Sequence, residues 1–157
     1  MQESWKKGFS FGLTSGIITT LGMMVGLHSS TGSTIVVIGG ILAIAVADSL
    51  SDALGIHISE ESENVHSNKE IWQATIATFL TKLFFACTFI VPILLLPIET
   101  ALIASVAYGL SLITIFSVFM AKKQGQKVSH VVMEHLVIAV AVILITHFVG
   151  DFISTLG

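Results

Sequence analysis

The sequence contains five long apolar segments, and these constrain its fold more than any other feature. Each has about 20 residues or more, the length that an α-helix needs to cross roughly 30 Å of hydrocarbon. Because backbone groups inside a bilayer must bond to one another, we expect every segment to be helical. The segments cover residues 8–27, 34–58, 75–96, 101–121 and 131–153. The sequence therefore predicts an all-α integral membrane protein with five transmembrane helices in a single domain, residues 1–157.

The composition supports this class and excludes three others. Charged residues make up 11% of the 157 residues and hydrophobic residues 54%. A soluble domain carries about 25% charged residues, and a nucleic-acid binder needs a basic surface. The formal net charge of this chain is −3. A soluble enzyme domain, a disordered chain and a nucleic-acid-binding protein are therefore excluded.

The lysines predict the orientation of the chain. All seven basic residues are Lys, and five spans place the two termini on opposite sides. The side of the N-terminus then receives six lysines and the other side none, which is a strong positive-inside signal. These six are Lys6, Lys7, Lys69, Lys122, Lys123 and Lys127. We expect a cytoplasmic N-terminus and a multi-pass protein, in the plasma membrane if the source is prokaryotic.

Two acids interrupt the second apolar segment. Asp48 and Asp52 are four residues apart and share one face of a helix. An acid within a membrane helix costs about 2.5–3.5 kcal/mol and marks an ion path, a proton relay or a paired charge. Lys82, at similar depth in the third segment, could form a purely structural pair with either acid. Because one Lys neutralises only one Asp, we favour an ion path that includes Asp48, Asp52 and Lys82, with both acids as metal ligands.

Histidines and acids also follow the second segment. Glu63 and His66 have the Glu-x-x-His spacing with which helical bundles present metal ligands. Carboxylate together with imidazole suits manganese, iron or zinc, whereas a solvated acidic loop is the ordinary alternative. We predict metal ligation by His57, Glu60, Glu61 and Glu63.

The fifth segment carries titratable residues at both ends. Glu134 is four residues after His130 and could add a metal ligand, although a helix N-terminus also favours an acid. His147 and Asp151 are likewise four apart. They could form an exit site or a proton-binding group, and a hydrated helix end explains them equally well.

Glycines recur every four residues in the first segment. Gly8, Gly12 and Gly16 form one such run, and Gly22 with Gly26 forms another. Glycines at this spacing create a groove into which another helix can pack closely. Packing within the chain and packing in a dimer are both open.

Three stretches together resemble the vacuolar iron transporter family. They are GFSFGLT at residues 8–14, SDALGIHISEESE at 51–63 and THFVG at 146–150. The chain departs from the family pattern where it has Phe11 and Ile44 in place of acids, and Asp52 in place of a ligand Met. It also lacks the cytosolic metal-binding domain between the second and third helices, where only residues 59–70 remain.

The resemblance implies a five-helix homodimer that exports ferrous iron, and often manganese, from the cytosol in exchange for protons. It places the ion path along a dimer interface lined by the first two helices, with Gly8, Gly12 and Gly16 at that interface. The expected partners are a second copy, the lipid bilayer, divalent cations and protons, with no permanently bound cofactor. The alternative is a non-transporting membrane scaffold with a structural Asp–Lys pair. We expect no enzyme, since the sequence has neither an HExxH motif nor a phosphate-binding glycine loop.

Overall fold

The structure is a computed structural model that describes residues 2–156, and this part of the chain is helical throughout with short turns and no β-strand. A five-residue π-helical segment, Ile44–Asp48, joins the second and third helices. The α-helices are α1 (Gln2–Thr31), α2 (Thr34–Ala43), α3 (Ser49–Ser62), α4 (Asn68–Thr88), α5 (Ile90–Leu95), α6 (Ile98–Gln124) and α7 (Val128–Ser154).

Five helical stretches are long and apolar enough to cross a membrane, which confirms the predicted number of helices. We call them spans: Glu3–Thr31, Thr34–Ser62, Asn68–Leu95, Ile98–Gln124 and Val128–Ser154. Most extend beyond the apolar segments of the sequence, because polar residues at their ends continue the helix. The third span starts where the Glu70 carboxylate accepts hydrogen bonds from the Ser67 backbone N–H and hydroxyl, at 3.1 and 2.8 Å.

The second span is not a uniform α-helix. The π-helical turn of Ile44–Asp48 replaces i→i+4 hydrogen bonds with i→i+5 bonds, so it accommodates about one extra residue. Such turns within α-helices are frequent at functional sites. Here the turn ends at Asp48, the first of the two acids in this span.

Proline interrupts the third span. Pro92 lacks the N–H that would bond the carbonyl of Thr88, and its ring crowds that carbonyl. As a result α4 ends at Thr88, and α5 begins two residues later at Ile90. The Thr88 hydroxyl donates to the Phe85 carbonyl at 2.6 Å within the last turn of α4.

The described chain forms two compact units, and α1 contributes to both. The first unit contains α1 as far as Thr20 together with Gly39–Ile90. The second contains Leu21–Ile38 and the chain from Val91 onward. The apolar core of the first unit includes the fully buried Ile17 and Ile41, and that of the second includes Leu21, Met24 and Ile113.

The glycines of α1 pack against helices of the same chain. In the first unit, a Cβ at Gly12 would lie 2.6 Å from the Thr78 carbonyl oxygen, and one at Gly16 would lie 3.1 Å from that of Lys82. Gly8 meets the Ala74 carbonyl even more closely. In the second unit, Gly22 and Gly26 pack on the side chain and backbone of α7. The sequence left open whether these glycines pack within the chain or in a dimer. In the structure they pack within the chain, so a second copy would have to pack against another face of the protein.

Candidate ion-binding site

A lysine and two aspartates meet inside the first unit. Lys82, on α4, is only 1% exposed. Its Nζ lies 2.5 Å from Asp48 Oδ2 and 2.5 Å from Asp52 Oδ2. The predicted shared face of the two acids is therefore present, and Lys82 pairs with both of them rather than with one. We call Asp48, Asp52 and Lys82 the charged triad.

A serine from α1 completes this site. Ser15 Oγ donates a hydrogen bond to Asp52 Oδ2 at 2.6 Å and accepts one from Lys82 Nζ at 2.9 Å. Ser15 comes this close because its neighbour Gly16 has no side chain, which allows α1 to approach the backbone of α4 at Lys82. The sequence analysis missed Ser15. Its position beside the Gly12 and Gly16 groove is the signal that could have found it.

The two acids differ in how they are held. The contact from Lys82 Nζ to Asp52 has hydrogen-bond geometry. By contrast, Asp48 Oδ2 accepts no hydrogen bond from any described residue, although it is buried and ion-paired. The Asp48 side chain as a whole is 31% exposed and that of Asp52 is 21% exposed. Both acids can therefore be reached from outside the unit, while the amine lies behind them.

The charge of the triad does not balance when all three groups are ionised. Two carboxylates carry −2 and one ammonium +1, so a net charge of −1 remains among apolar helices. Charge in such surroundings is costly unless it is paired. A proton or a cation at the partly exposed acids would complete the pairing.

A second cluster lies where α3 ends. Ligand atoms of Glu60, Glu63 and His66 all lie within 4.8 Å of one another. His66 Nε2 is 3.5 Å from Glu60 Oε2 and 3.3 Å from Glu63 Oε2. Lys7, from the first turns of α1, forms ion pairs with Glu60 and with Glu63, the latter at 3.1 Å. The hydrogen bond and the charge of Lys7, together with His66, hold the pKa of the Glu63 carboxyl below its ordinary value.

Two predicted ligands are not part of this cluster. His57 Nδ1 is 3.0 Å from the Thr75 hydroxyl, and its ring packs edge-on against Trp72. Glu61 is exposed, since it lies about 100° around the helix from Glu60. His66 takes their place because the chain turns sharply at Asn64, which has a φ of +53°, and so returns towards Glu60.

Glu134 belongs to the second unit and pairs locally. Its Oε2 lies 3.3 Å from His130 Nδ1 one turn earlier, and both side chains are exposed. The three-ligand cluster found among residues 2–156 does not include Glu134. Nearby on α7, His135 Nδ1 lies 2.7 Å from Ser117 Oγ. Since the Ser117 hydroxyl donates to the Ile113 carbonyl at 2.6 Å, it accepts its bond from His135.

His147 links a serine and an acid at the end of the second unit. Its Nδ1 lies 2.6 Å from Ser29 Oγ, and its Nε2 lies 3.4 Å from Asp151 Oδ2. These residue types match a hydrolytic triad, and the sequence did not reveal the arrangement. However, Ser29 lies within the regular helix α1, whose N–H groups bond inside the helix and cannot stabilise an oxyanion. The arrangement is one hydrogen bond and one ion-pair contact at an exposed histidine.

No family model, curated protein or solved structure matches this chain. The resemblance to vacuolar iron transporters therefore stays a prediction from the three stretches quoted above. The charged triad and the cluster at the end of α3 are the features of the described chain that bear on its function.

Proposed function

We propose that this protein is a membrane transporter of divalent transition-metal cations, iron or manganese, which it exports from the cytosol in exchange for protons. The observation that carries the proposal is the charged triad, in which Asp48 and Asp52 share Lys82 as their only lysine partner in the described chain. Ionisable residues within membrane helices are costly, and they mark ion paths and proton relays by default. The uncompensated negative charge supplies a binding site for a cation.

Proton exchange follows from the chemistry of carboxylates. One proton or one metal ion can balance the net charge of the triad, and a carboxylate binds metal only in its ionised form. Binding of a metal at Asp48 and Asp52 would therefore release a proton, and departure of the metal would let the proton return. Asp48 is suited to this role because its Oδ2, although ion-paired with Lys82, accepts no hydrogen bond from residues 2–156, and its side chain is partly exposed.

A homodimer is part of the proposal, and the second span supports it. Small residues recur every four positions along an exposed face of this span: Gly39, Ala43, Ala47, Ser51, Gly55 and Ser59. Such a row lets two helices approach closely in a membrane. Because the row runs beside Asp48 and Asp52, a second copy packed there would enclose the acids in a path between the two chains.

The proposal is tested by transport into proteoliposomes with a pH gradient. Purified protein would be reconstituted, and Mn²⁺ or Fe²⁺ flux would be measured for the wild type, Asp48→Asn, Asp52→Asn and Asp151→Asn. We expect flux in the wild type and its loss in both triad variants. Asp151→Asn is the matched control, because Asp151 is an exposed acid outside the triad, and it should transport normally. Equal flux in the wild type and Asp52→Asn would refute the role of Asp52.

A membrane scaffold is the second candidate, and the geometry of Lys82 favours it specifically. One amine that bridges two acids of the second span, with Ser15 of α1 beside it, can hold three helices in register without moving an ion. This candidate predicts that the chain folds and dimerises no worse than the wild type when all three charges are removed together, in Asp48→Asn/Asp52→Asn/Lys82→Met. It also predicts that the wild type shows no metal-dependent proton release in vesicles.

A further inference from the structure

We propose that Glu60, Glu63 and His66 form a binding site for one divalent transition-metal cation, and that Lys7 acts as an internal competing cation at this site. The inference deepens the proposed function and rests on it for its role in transport, because it names the place where the cation is first held. Binding itself is a separate property that can be measured without transport.

The spacing of the ligand atoms fits a single ion. Two ligands at about 2.1 Å from one ion, at a tetrahedral angle, lie roughly 3.4 Å apart. His66 Nε2 is 3.5 Å from Glu60 Oε2 and 3.3 Å from Glu63 Oε2. The imidazole therefore already lies at such a separation from each carboxylate, and all three ligand atoms lie within 4.8 Å of one another.

Glu60 provides an independent indication of a ligand. Its side chain is 0% exposed, and apart from the ion pairs with Lys7 and His66 neither carboxylate oxygen has a partner in the described part of the protein. A buried carboxylate without hydrogen bonds is costly, and only the ion pairs with Lys7 and His66 offset this cost. A metal on the side of Oε2 would satisfy lone pairs that the protein leaves unused.

The ligand types select among cations. Calcium and magnesium prefer sites built entirely from oxygen, whereas one imidazole with two carboxylates suits manganese, iron or zinc. His66 is therefore the residue that distinguishes this cluster from an ordinary acidic surface. A site with this preference is suited to collect a transition metal in the presence of excess Mg²⁺.

Lys7 opposes metal binding through its charge. It contacts the Oε1 atoms of both Glu60 and Glu63, while His66 faces the Oε2 atoms of the same carboxylates. In the absence of metal, its ammonium offsets the two acids. Its side chain is 45% exposed, so it can turn into water when a divalent cation arrives. Lys7 thus ties the start of α1 to the end of α3 until metal replaces it.

The test is Mn²⁺ binding by isothermal titration calorimetry, on the full chain in detergent and in an Asp48→Asn/Asp52→Asn/Lys82→Met background that removes all three charges of the triad. Loss of an outer partner of a ligand weakens metal affinity by about 10–100-fold, so loss of a ligand in His66→Gln should cost at least about tenfold. Glu63→Gln should do the same. Since Glu60 is buried, Glu60→Gln is compared only if its circular dichroism spectrum matches that of the wild type. If it does not, the test rests on His66→Gln and on Glu63→Gln, because Glu63 is exposed.

The competing role of Lys7 has its own pair of variants. Lys7→Gln should tighten Mn²⁺ binding by about fivefold, because it removes a nearby positive charge. Lys6→Gln removes the same charge from the adjacent exposed residue and should leave affinity within about twofold. Equal Mn²⁺ affinity in wild type and His66→Gln overturns the site, and unchanged or weaker binding in Lys7→Gln overturns the competition.

These outcomes separate the site from transport. Binding that depends on His66 but occurs in a protein without flux would refute the proposed function and leave the site standing. Flux that depends on Asp52 but not on His66, with no Mn²⁺ bound in the triad-free background, would refute the site alone. Mg²⁺ serves as the selectivity control, and binding of Mg²⁺ as tight as that of Mn²⁺ would overturn the assignment to transition metals.

Discussion

The two units differ in the charged side chains that they bury, although both contain hydroxyls that bond within their own helix. In the second unit, hydroxyls such as those of Thr114 and Thr146 donate to the carbonyl four residues earlier, at 2.7 and 2.8 Å. Such bonds satisfy a side chain within its own helix. In the first unit, Lys82 is instead satisfied by Asp48 and Asp52 from another span and by Ser15 from a third.

A buried hydroxyl can be satisfied within its own helix, whereas a buried charged side chain requires partners from other helices. Both charged side chains that are buried in the described chain, Glu60 and Lys82, lie in the first unit. A charge cannot be satisfied by its own helix backbone alone, so it imposes a particular arrangement of neighbours. The first unit therefore contains both candidate sites, and variants in the two units should behave differently.

The largest expected effect is at Lys82. Lys82→Met leaves two acids without their cation, and breaking a buried pair in this way costs about 3–5 kcal/mol of unfolding free energy. Lys122→Met makes the same change at an exposed residue of the second unit and should stay within about 0.5 kcal/mol. Thermal unfolding in detergent, followed by circular dichroism, measures both.

Adding Asp48→Asn and Asp52→Asn to Lys82→Met should restore much of the lost stability, because the acids no longer need a counter-charge. If the single and triple variants unfold at the same temperature, ionic pairing is not what stabilises the first unit. That result would remove the contrast between the units.

A glycine in each unit gives the next largest effect. Alanine at Gly12 would place its Cβ 2.6 Å from a backbone carbonyl, that of Thr78, so the helices must move apart. We expect a loss of about 1–3 kcal/mol in unfolding free energy. In Gly22→Ala of the second unit, the nearest atom is a side-chain methyl of Val142 at 2.9 Å, which can rotate away. Chemical denaturation should therefore show a smaller loss for Gly22→Ala, and the reverse order would contradict the packing described for α1.

For the serine pair, the expected loss at Ser15 is in the same range as that for Gly12→Ala, and the comparison between the units is the sharpest. Ser15→Ala removes a hydrogen bond to a charged group on each side, at Asp52 and Lys82, and should cost about 1–3 kcal/mol. Ser111 of the second unit donates only to Ala107 in its own helix, so Ser111→Ala should change stability by about 0.5 kcal/mol or less. Equal unfolding temperatures for the two variants would show that Ser15 is not part of the site.

The sequence sufficed for the helices but only partly for the sites. Span number follows from segment length and apolarity, which act locally along the chain. The shared face of Asp48 and Asp52 follows from helical periodicity. The role of Ser15, by contrast, depends on which helix packs into the groove at Gly12 and Gly16, and the glycine spacing does not specify that partner.

The ligands of the cluster at the end of α3 likewise depend on how the chain folds, which the sequence does not show. Helical spacing predicts His57 and Glu61 as ligands, and α3 does continue to Ser62, but both side chains lie outside the cluster. The left-handed backbone at Asn64 instead brings His66 back to Glu60. The sequence also does not predict the π-helical turn of Ile44–Asp48, because residues 44–48 contain no proline or glycine that would indicate an irregular helix.

The π-helical turn also has a rotational consequence. Neighbouring residues of an α-helix are about 100° apart around the axis, so one extra residue turns α2 by about that angle relative to α3. Deleting one residue from Ile44–Asp48 would therefore swing the apolar face of α2 towards different neighbours, while Asp52 kept its place beside Lys82. The π-helical turn thus sets the angle between the faces of the two halves of the span.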